Sequence, residues 1–273
     1  MYNCRKGIIK VNLNGGIGNQ LFQFATATNL ALEKSWHVIF VEANKIWKSR
    51  IDFMGLEIKV PYEVKRDGKN LTFTKVKHNK LCKFHNYFEE NFTFSPLNME
   101  GNHFQLHGYF QSEKYFIENK TVIRNFISNA LNSEYPIFEK ANIIQIRMGD
   151  MARNPKIRNV HGIISDNYLI KALSIFSIES KEWVQISDDH ERISVELPIY
   201  NTLKIHQHKS ESDLRDLQLL SRARNLIISN STFGWWGAWL SKGEVVAPAN
   251  WFSAEGLGMR PITDLFPKNW NLV

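Results

Sequence analysis

Cysteine is nearly absent: Cys4 and Cys82 are the two in 273 residues. A single pair gives no disulfide framework and fits a reducing cytosol. No run of about 18 apolar residues occurs, which excludes a transmembrane helix. The opening Met1-Tyr-Asn-Cys-Arg-Lys-Gly7 leads straight into a strand pattern and lacks the build of a signal peptide. The four N-x-S/T matches at Asn70, Asn91, Asn119 and Asn230 are then read as chance. The nine histidines never fall in H-x-x-x-H or H-E-x-x-H spacing, so no zinc site is expected. No G-x-S-x-G elbow is present, which leaves a serine hydrolase unsupported. Zinc-finger spacing, an RRM signature and a long basic helix are missing too, which ranks nucleic acid last among partners.

What is present is an ordinary globular composition, 43% hydrophobic and 22% charged, with a net charge of +7. The excess of basic residues is spread out, with modest concentrations at residues 59–83 and 147–158. It suits an anionic small substrate or an anionic membrane surface.

The alternation of apolar runs and helical periods predicts an α/β protein. Residues 7–13 read as a strand ending in the turn Asn14-Gly-Gly-Ile-Gly18. A helix over 19–34 and a strand over 36–41 complete a βαβ unit, which implies a parallel sheet. Residues 45–105 show weak periodicity and read as short helices and loops. Phe104–Gln111 reads as a strand entering a loop, followed by a helix over 112–132 that Pro136 ends. The pattern then resumes: strands over 141–147, 183–187 and 225–229, helices over 166–177 and 213–222, and a Trp-rich helix before the strand Glu244–Pro248. A break near 130–140 suggests two Rossmann-like lobes, residues 1–135 and 136–273, with parallel sheets facing a central cleft.

Chemistry concentrates where strands end. In Gly15-Gly16-Ile17-Gly18-Asn19-Gln20 the spacing is neither G-x-G-x-x-G nor a P-loop. It offers a closely approachable backbone and two amides at a helix start, and a plain tight turn fits it as well. In Gln145-Ile-Arg147-Met-Gly-Asp150, Arg147 can fork onto a phosphate and Asp150 can accept a proton; a structural ion pair between them is the competing reading. Ser187-Asp188-Asp189 admits three roles: a divalent metal, hydrogen bonds from a guanine edge or ribose, or capping of the next helix, which is favoured. In Ser229-Asn230-Ser231-Thr232 small polar side chains meet a helix start, a junction suited to an anion. Trp235 and Trp239 share a helix face and are read as core, ahead of a sugar-stacking role.

Taken in order, these segments resemble the α-1,2-fucosyltransferases of glycosyltransferase family 11. Gly15-Gly-Ile-Gly-Asn-Gln-Leu-Phe-Gln-Phe-Ala25 is similar to that family's G-G-x-G-N-Q-x-F-Q-Y-A, and Gly108-Tyr-Phe-Gln111 to its G-Y-F-Q. Ile186-Ser-Asp-Asp189 resembles its S-D-D. Ile228-Ser-Asn-Ser-Thr-Phe233-Gly-Trp-Trp-Gly-Ala-Trp-Leu240 nearly coincides with A-N-S-T-F-S-W-W-G-A-W-L, and Ala247-Pro-Ala-Asn-Trp-Phe252 is similar to A-P-x-x-W-F. One departure stands out: where the family has H-x-R-R-G-D, this chain has Gln145 and Met148 in place of the histidine and second arginine.

The resemblance implies a GT-B-like enzyme that transfers L-fucose from GDP-fucose with inversion, without metal or cofactor. The acceptor would be a galactose-containing glycan or a lipid-linked oligosaccharide in O-antigen or capsule synthesis. The N-terminal lobe would be the acceptor side and the C-terminal lobe would hold the nucleotide sugar. Arg147, Asp150 as base and Asn19 would be catalytic. Gly16, Gly18, Gln20, Arg147, Ser187, Asp188, Asp189, Asn230, Ser231, Thr232 and Phe233 would bind the donor. A cytoplasmic location, with peripheral contact at the inner membrane, goes with such a role. A transferase of another nucleotide-linked deoxyhexose and a non-catalytic glycan-binding module are the alternatives.

Overall fold

The computed structural model describes residues 6–44, 46, 48–77, 82–134, 141–176, 182–203, 205–209, 212–255 and 261–273. Cys4, Pro136 and the end of the helix expected to reach Ser177 lie outside them. The chain divides into two compact units: Met1–Glu134 with Pro261–Phe266, and Tyr135–Arg260 with Pro267–Val273.

Unit 1 opens with strand β1 (Ile8–Leu13), helix α1 (Ile17–Glu33) and strand β2 (His37–Glu42). Strand β1 pairs in parallel with β2. The helix buries nearly its whole length because it is covered on more than one side: Phe24 packs on Phe40 of β2 and Phe22 on Phe116. Residues 45–105 depart from expectation. They hold a 3₁₀ turn at Asp52–Met54 and strands β3 (Pro61–Asp67), β4 (Asn70–Lys75), β5 (His85–Phe88) and β6 (His103–His107). Strands β3 and β4 form an antiparallel hairpin in which Asp67 faces Asn70. The two-residue loop between them is Gly68-Lys69, and Gly68 has φ of 57°, the positive φ that a type II′ hairpin turn places at its first position. That dipeptide and the alternation Tyr62, Val64 against Leu71, Phe73 were the available signals. After β6 a 3₁₀ stretch, Glu113–Asn119, leads into α2 (Lys120–Glu134). The six strands lie in the order β4-β3-β2-β1-β6-β5.

Segment 261–266 belongs to this unit through Asp264. Its backbone carbonyl accepts from Ser112 Oγ at 2.6 Å. Its carboxylate accepts from Phe94 N at 3.1 Å and pairs with Lys114.

Unit 2 runs β7 (Asn142–Ile146), α3 (Gly149–Arg153), α4 (Pro155–His161), α5 (Asp166–Ile175), β8 (Trp183–Ser187), α6 (His190–Glu196), a 3₁₀ turn at Pro198–Thr202, and β9 (Ile205–Gln207). It continues with α7 (Asp213–Ser221), β10 (Asn225–Ile228), α8 (Thr232–Leu240), β11 (Glu244–Ala247) and β12 (Asn271–Leu272). The short helices α3, α4 and α6 and strand β9 were not expected from periodicity, each being too brief to show it. All strand pairs are parallel, in the order β12-β11-β10-β7-β8-β9. Counted within the unit this is the doubly wound order 3-2-1-4-5-6. Both units are thus α/β and Rossmann-like, as the strand–helix alternation implies.

The tryptophans of α8 are core. Trp235, Trp236 and Trp239 are at most 1% exposed, and Trp235 stacks on Trp239 with 6.1 Å between ring centroids. No helix among the described residues is long and apolar enough to cross a membrane. Cys82 is disulfide-bonded, so the low cysteine count does not by itself argue for a reducing compartment.

Candidate active site

In a doubly wound sheet, neighbouring strands whose helices leave to opposite faces open a crevice at their carboxyl ends. In unit 2 that switch point lies between β7 and β10, which are hydrogen-bonded neighbours with Gln145 level with Ile228. The two segments singled out by sequence, Gln145–Asp150 and Ser229–Phe233, leave the sheet side by side at this point.

Short polar contacts fix the junction. Ser229 Oγ accepts from Arg147 N at 2.9 Å and donates to Gln145 Oε1 at 3.1 Å. Gln145 is 3% exposed, and its amide lies against Gly234, where any side chain would collide with Oε1. The glutamine therefore braces the start of α8. Met148 is fully buried in the core with Ile144, Ile146 and Trp183. In this chain the site of the family's second arginine points into apolar packing, away from the Arg147 guanidinium.

Arg147 sits between two carboxylates, Nη2 at 2.7 Å from Asp150 Oδ1 and Nη1 at 2.9 Å from Asp188 Oδ2. The other oxygen of Asp188 accepts from Met148 N at 2.8 Å. Gly149 makes room for this, since a Cβ there would overlap the Asp188 carboxylate. The guanidinium is held in a fixed place yet about a third exposed, the condition in which a fork can meet a diphosphate.

The capping expectation for the two acids does not hold. Asp189 occupies the cap position of α6, but its side chain makes no cap bond. It is 8% exposed and pairs with Arg153, at 2.8 Å from Nε and 2.7 Å from Nη2. Ser187 Oγ accepts from Asp189 N at 3.1 Å. Asp188 points the other way, to Arg147. Among the described residues no three His, Cys, Asp or Glu side chains gather as a metal-ligand group.

At the head of α8, Ser231 is the cap residue and makes no side-chain cap bond. The first-turn N–H groups of the helix, at Thr232 and Phe233, are therefore left without a side-chain acceptor, with both residues half-buried. Nine helical residues aim their dipole here, which favours an anion. Asn230 departs from this group: its Nδ2 donates to His161 O at 2.6 Å and Trp251 O at 3.2 Å. Beneath the junction, Tyr168 Oη donates to Ile228 O at 2.6 Å, and burial pushes its phenol pKa well above the usual range.

The corresponding switch point of unit 1 lies between β1 and β6. There the Gly15–Gln20 turn and the Gly108–Gln111 loop leave the sheet. Gly16 is exposed, and a Cβ there would meet nothing within 4 Å; Gly18 is buried inside the first turn of α1. Asn19 Oδ1 accepts from Gln111 Nε2 at 3.0 Å, so the two motifs touch. Gln20 is committed to the protein itself. It donates to Gly15 O and Lys48 O, both at 2.9 Å, and accepts from Arg50 N at 2.8 Å, bracing the turn.

Two residues that the sequence reading missed complete this edge. Gln23 accepts from Asn14 N at 2.9 Å and donates to Gly108 O at 2.8 Å, tying the ends of β1 and β6 together. Glu89 accepts from Tyr109 N at 2.7 Å and Phe110 N at 3.0 Å. Burial raises the carboxyl pKa of Glu89, and the two N–H groups partly offset that. Phe110 has φ of 56° and Gly108 φ of 156°; a Cβ at Gly108 would collide with Glu89. A half-buried acid after a short strand gives no periodic signal.

A cavity of about 930 Å³ extends from this edge over the sheet face that carries Lys10, Asn12, Gln105 and His107. Asn12 Oδ1 accepts from Gln105 Nε2 at 3.1 Å, and Asn12 Nδ2 donates to His107 Nδ1 at 2.8 Å. His107 Nε2 then donates to Asn86 Oδ1 at 2.8 Å. Both imidazole nitrogens are used, and burial followed by the charge of Lys10 lowers the imidazole pKa. The result is a pre-set polar floor walled by Ile39, Pro61 and Phe84.

Among proteins of known name, the chain is 26% identical to an alpha-1,2-colitosyltransferase of Escherichia coli over 96% of its length and 98% of the relative's. It is 29% identical to the O-antigen biosynthesis glycosyltransferase WbnK of Escherichia coli, covering 93% and 95%. It is 24% identical to a galactoside 2-alpha-L-fucosyltransferase of Caenorhabditis elegans, covering 84% and 68%. Glycosyl transferase family 11 matches residues 1–273, and with its motifs placed at the carboxyl ends of two Rossmann-like sheets the chain belongs to that family.

Proposed function

We propose that this glycosyltransferase moves a 6-deoxyhexose, L-fucose, from GDP-fucose to the 2-hydroxyl of a galactoside, inverting the anomeric carbon. The observation that carries the donor half is the switch point of unit 2, where the Arg147 fork stands beside the uncapped start of α8. A departing diphosphate gains negative charge as the glycosidic bond breaks, and fixed donors aimed at it stabilise the transition state more than the ground state. Arg147 and the N–H groups of Thr232 and Phe233 supply that stabilisation without a metal. Asp188 and Asp150 orient the arginine, and in this reading Asp188 also accepts from the guanine or ribose.

The linkage and setting are supported by the relatives, two named for transfer to position 2 and one for O-antigen biosynthesis. We place the enzyme in the cytoplasm, with peripheral contact to the inner membrane where lipid-linked acceptors are built; the net charge of +7 suits an anionic surface.

A second reading, transfer of another nucleotide-linked deoxyhexose, is favoured by the colitosyltransferase relative and by Gln145 in place of the family's histidine. A panel of GDP-linked deoxyhexoses with a galactoside acceptor separates the two. Transfer from GDP-fucose is expected; turnover with a different donor alone would replace fucose in this proposal.

A further inference from the structure

Inversion at the anomeric carbon calls for a base near the attacking hydroxyl. Asp150 and Asp188 each give an oxygen to Arg147, and protonating either would loosen the arginine that meets the diphosphate. Helix α4 ends in a different candidate. His161 is its last residue, and Gly162 after it has φ of 66°, turning the chain sharply. The backbone carbonyl of His161 is tied to Asn230, 2.6 Å away, and its ring packs 5.6 Å from that of Phe252.

His161 and Asn230 line a cavity of about 400 Å³, with Ser165, Asn250, Ile164 and Phe252. Two acceptors there are unused. Asn230 is 4% exposed; with Nδ2 given to two carbonyls, its Oδ1 has no partner among the described residues. The ring of His161 likewise makes no hydrogen bond to described residues, whereas both nitrogens of His107 and Nδ1 of His190 do. A cavity with one carbonyl-type acceptor and one imidazole suits a ligand that offers hydroxyl protons.

We propose that His161 is the general base of the transfer. Its imidazole takes the proton of the acceptor hydroxyl as that oxygen bonds to the anomeric carbon. The bond from that carbon to the diphosphate oxygen breaks, and its electron pair leaves on the diphosphate. Asn230 Oδ1 accepts a second hydroxyl and holds the sugar beside the ring. This rests on the glycosyl-transfer reading above.

The charges around His161 are consistent with a neutral imidazole. Burial lowers its pKa most, Asp150 raises it and Arg147 lowers it. Arg158 on the same helix is paired with Glu196 of α6 at 2.8 Å. Tyr168, also lining the cavity, donates its hydroxyl to Ile228. A lowered folded pKa means that the unfolded chain binds the proton first. Its contribution to stability is therefore full above the ordinary imidazole pKa and is lost as pH falls through the folded value.

The test compares wild type, His161→Gln and His161→Ala with whichever sugar nucleotide the wild type uses. The anchor at this position is the backbone carbonyl, so both variants keep it. Loss of a general base should lower kcat by about 10²–10⁴-fold and remove the acidic limb of the kcat–pH profile. GDP affinity by calorimetry should stay unchanged, and added imidazole should restore part of the His161→Ala rate. A His161→Gln enzyme with kcat within about threefold of wild type, a factor small against that range, and an intact acidic limb overturns the assignment. So does a loss of rate that imidazole does not rescue and that tracks weakened GDP binding. Failure of the donor reading shows separately, as a wild-type protein that does not bind GDP.

Discussion

At the scale of single residues, the site depends on Arg147 more than on any other side chain. Asp188 reaches it because Gly149 leaves space, and Ser229 fixes its backbone from the neighbouring strand. Partly exposed ion pairs contribute about 0–1 kcal/mol to stability, whereas a donor aimed at developing charge is worth about 10²–10³-fold in kcat. Arg147→Ala should therefore lose transfer by at least that factor while its thermal melting midpoint stays close to wild type; a kinetic assay paired with a melt checks both. The arginine and its strand were legible in the sequence from their place before Gly149-Asp150. The roles of Asp188 and Asp189 were not, because adjacent acids after a strand read as caps and only tertiary contact sends one to Arg147 and the other to Arg153. His161 was hidden for the same reason: nothing in its local sequence marks it, and its cavity is assembled from Asn230 and residues 248–254.

At the scale of elements, long periodic segments were readable and short ones were not. Strand β8 spans residues 183–187 as expected, and α1 begins two residues before the expected start. The β3–β4 hairpin was missed despite its Gly68-Lys69 turn, because half of each strand faces solvent and the apolar alternation is thin. Helix packing also leaves a sequence trace that only the fold explains. Gly237 lets α8 approach α7 so closely that a Cβ would overlap Leu220. Gly237→Ala would gain helix propensity of about 1 kcal/mol, but overpacking costs about 1–3 kcal/mol. We expect a net loss of stability, measured as a lower denaturant midpoint with unchanged slope.

At the scale of the whole molecule, two Rossmann-like units each place their motif loops at the carboxyl ends of their strands. The alternation of strands and helices made that architecture legible. The return of Pro261–Phe266 to unit 1 was not, since it rests on Asp264 meeting Ser112 and Phe94 far away in sequence. The central claim is that unit 2 receives the donor's diphosphate at its switch point. A crystal structure with GDP tests it most directly. The diphosphate should lie within hydrogen-bond distance of the Arg147 guanidinium and of the N–H groups of Thr232 and Phe233, with the guanosine beside Asp188. GDP seated in the cavity of unit 1, or in unit 2 away from Arg147, would contradict it.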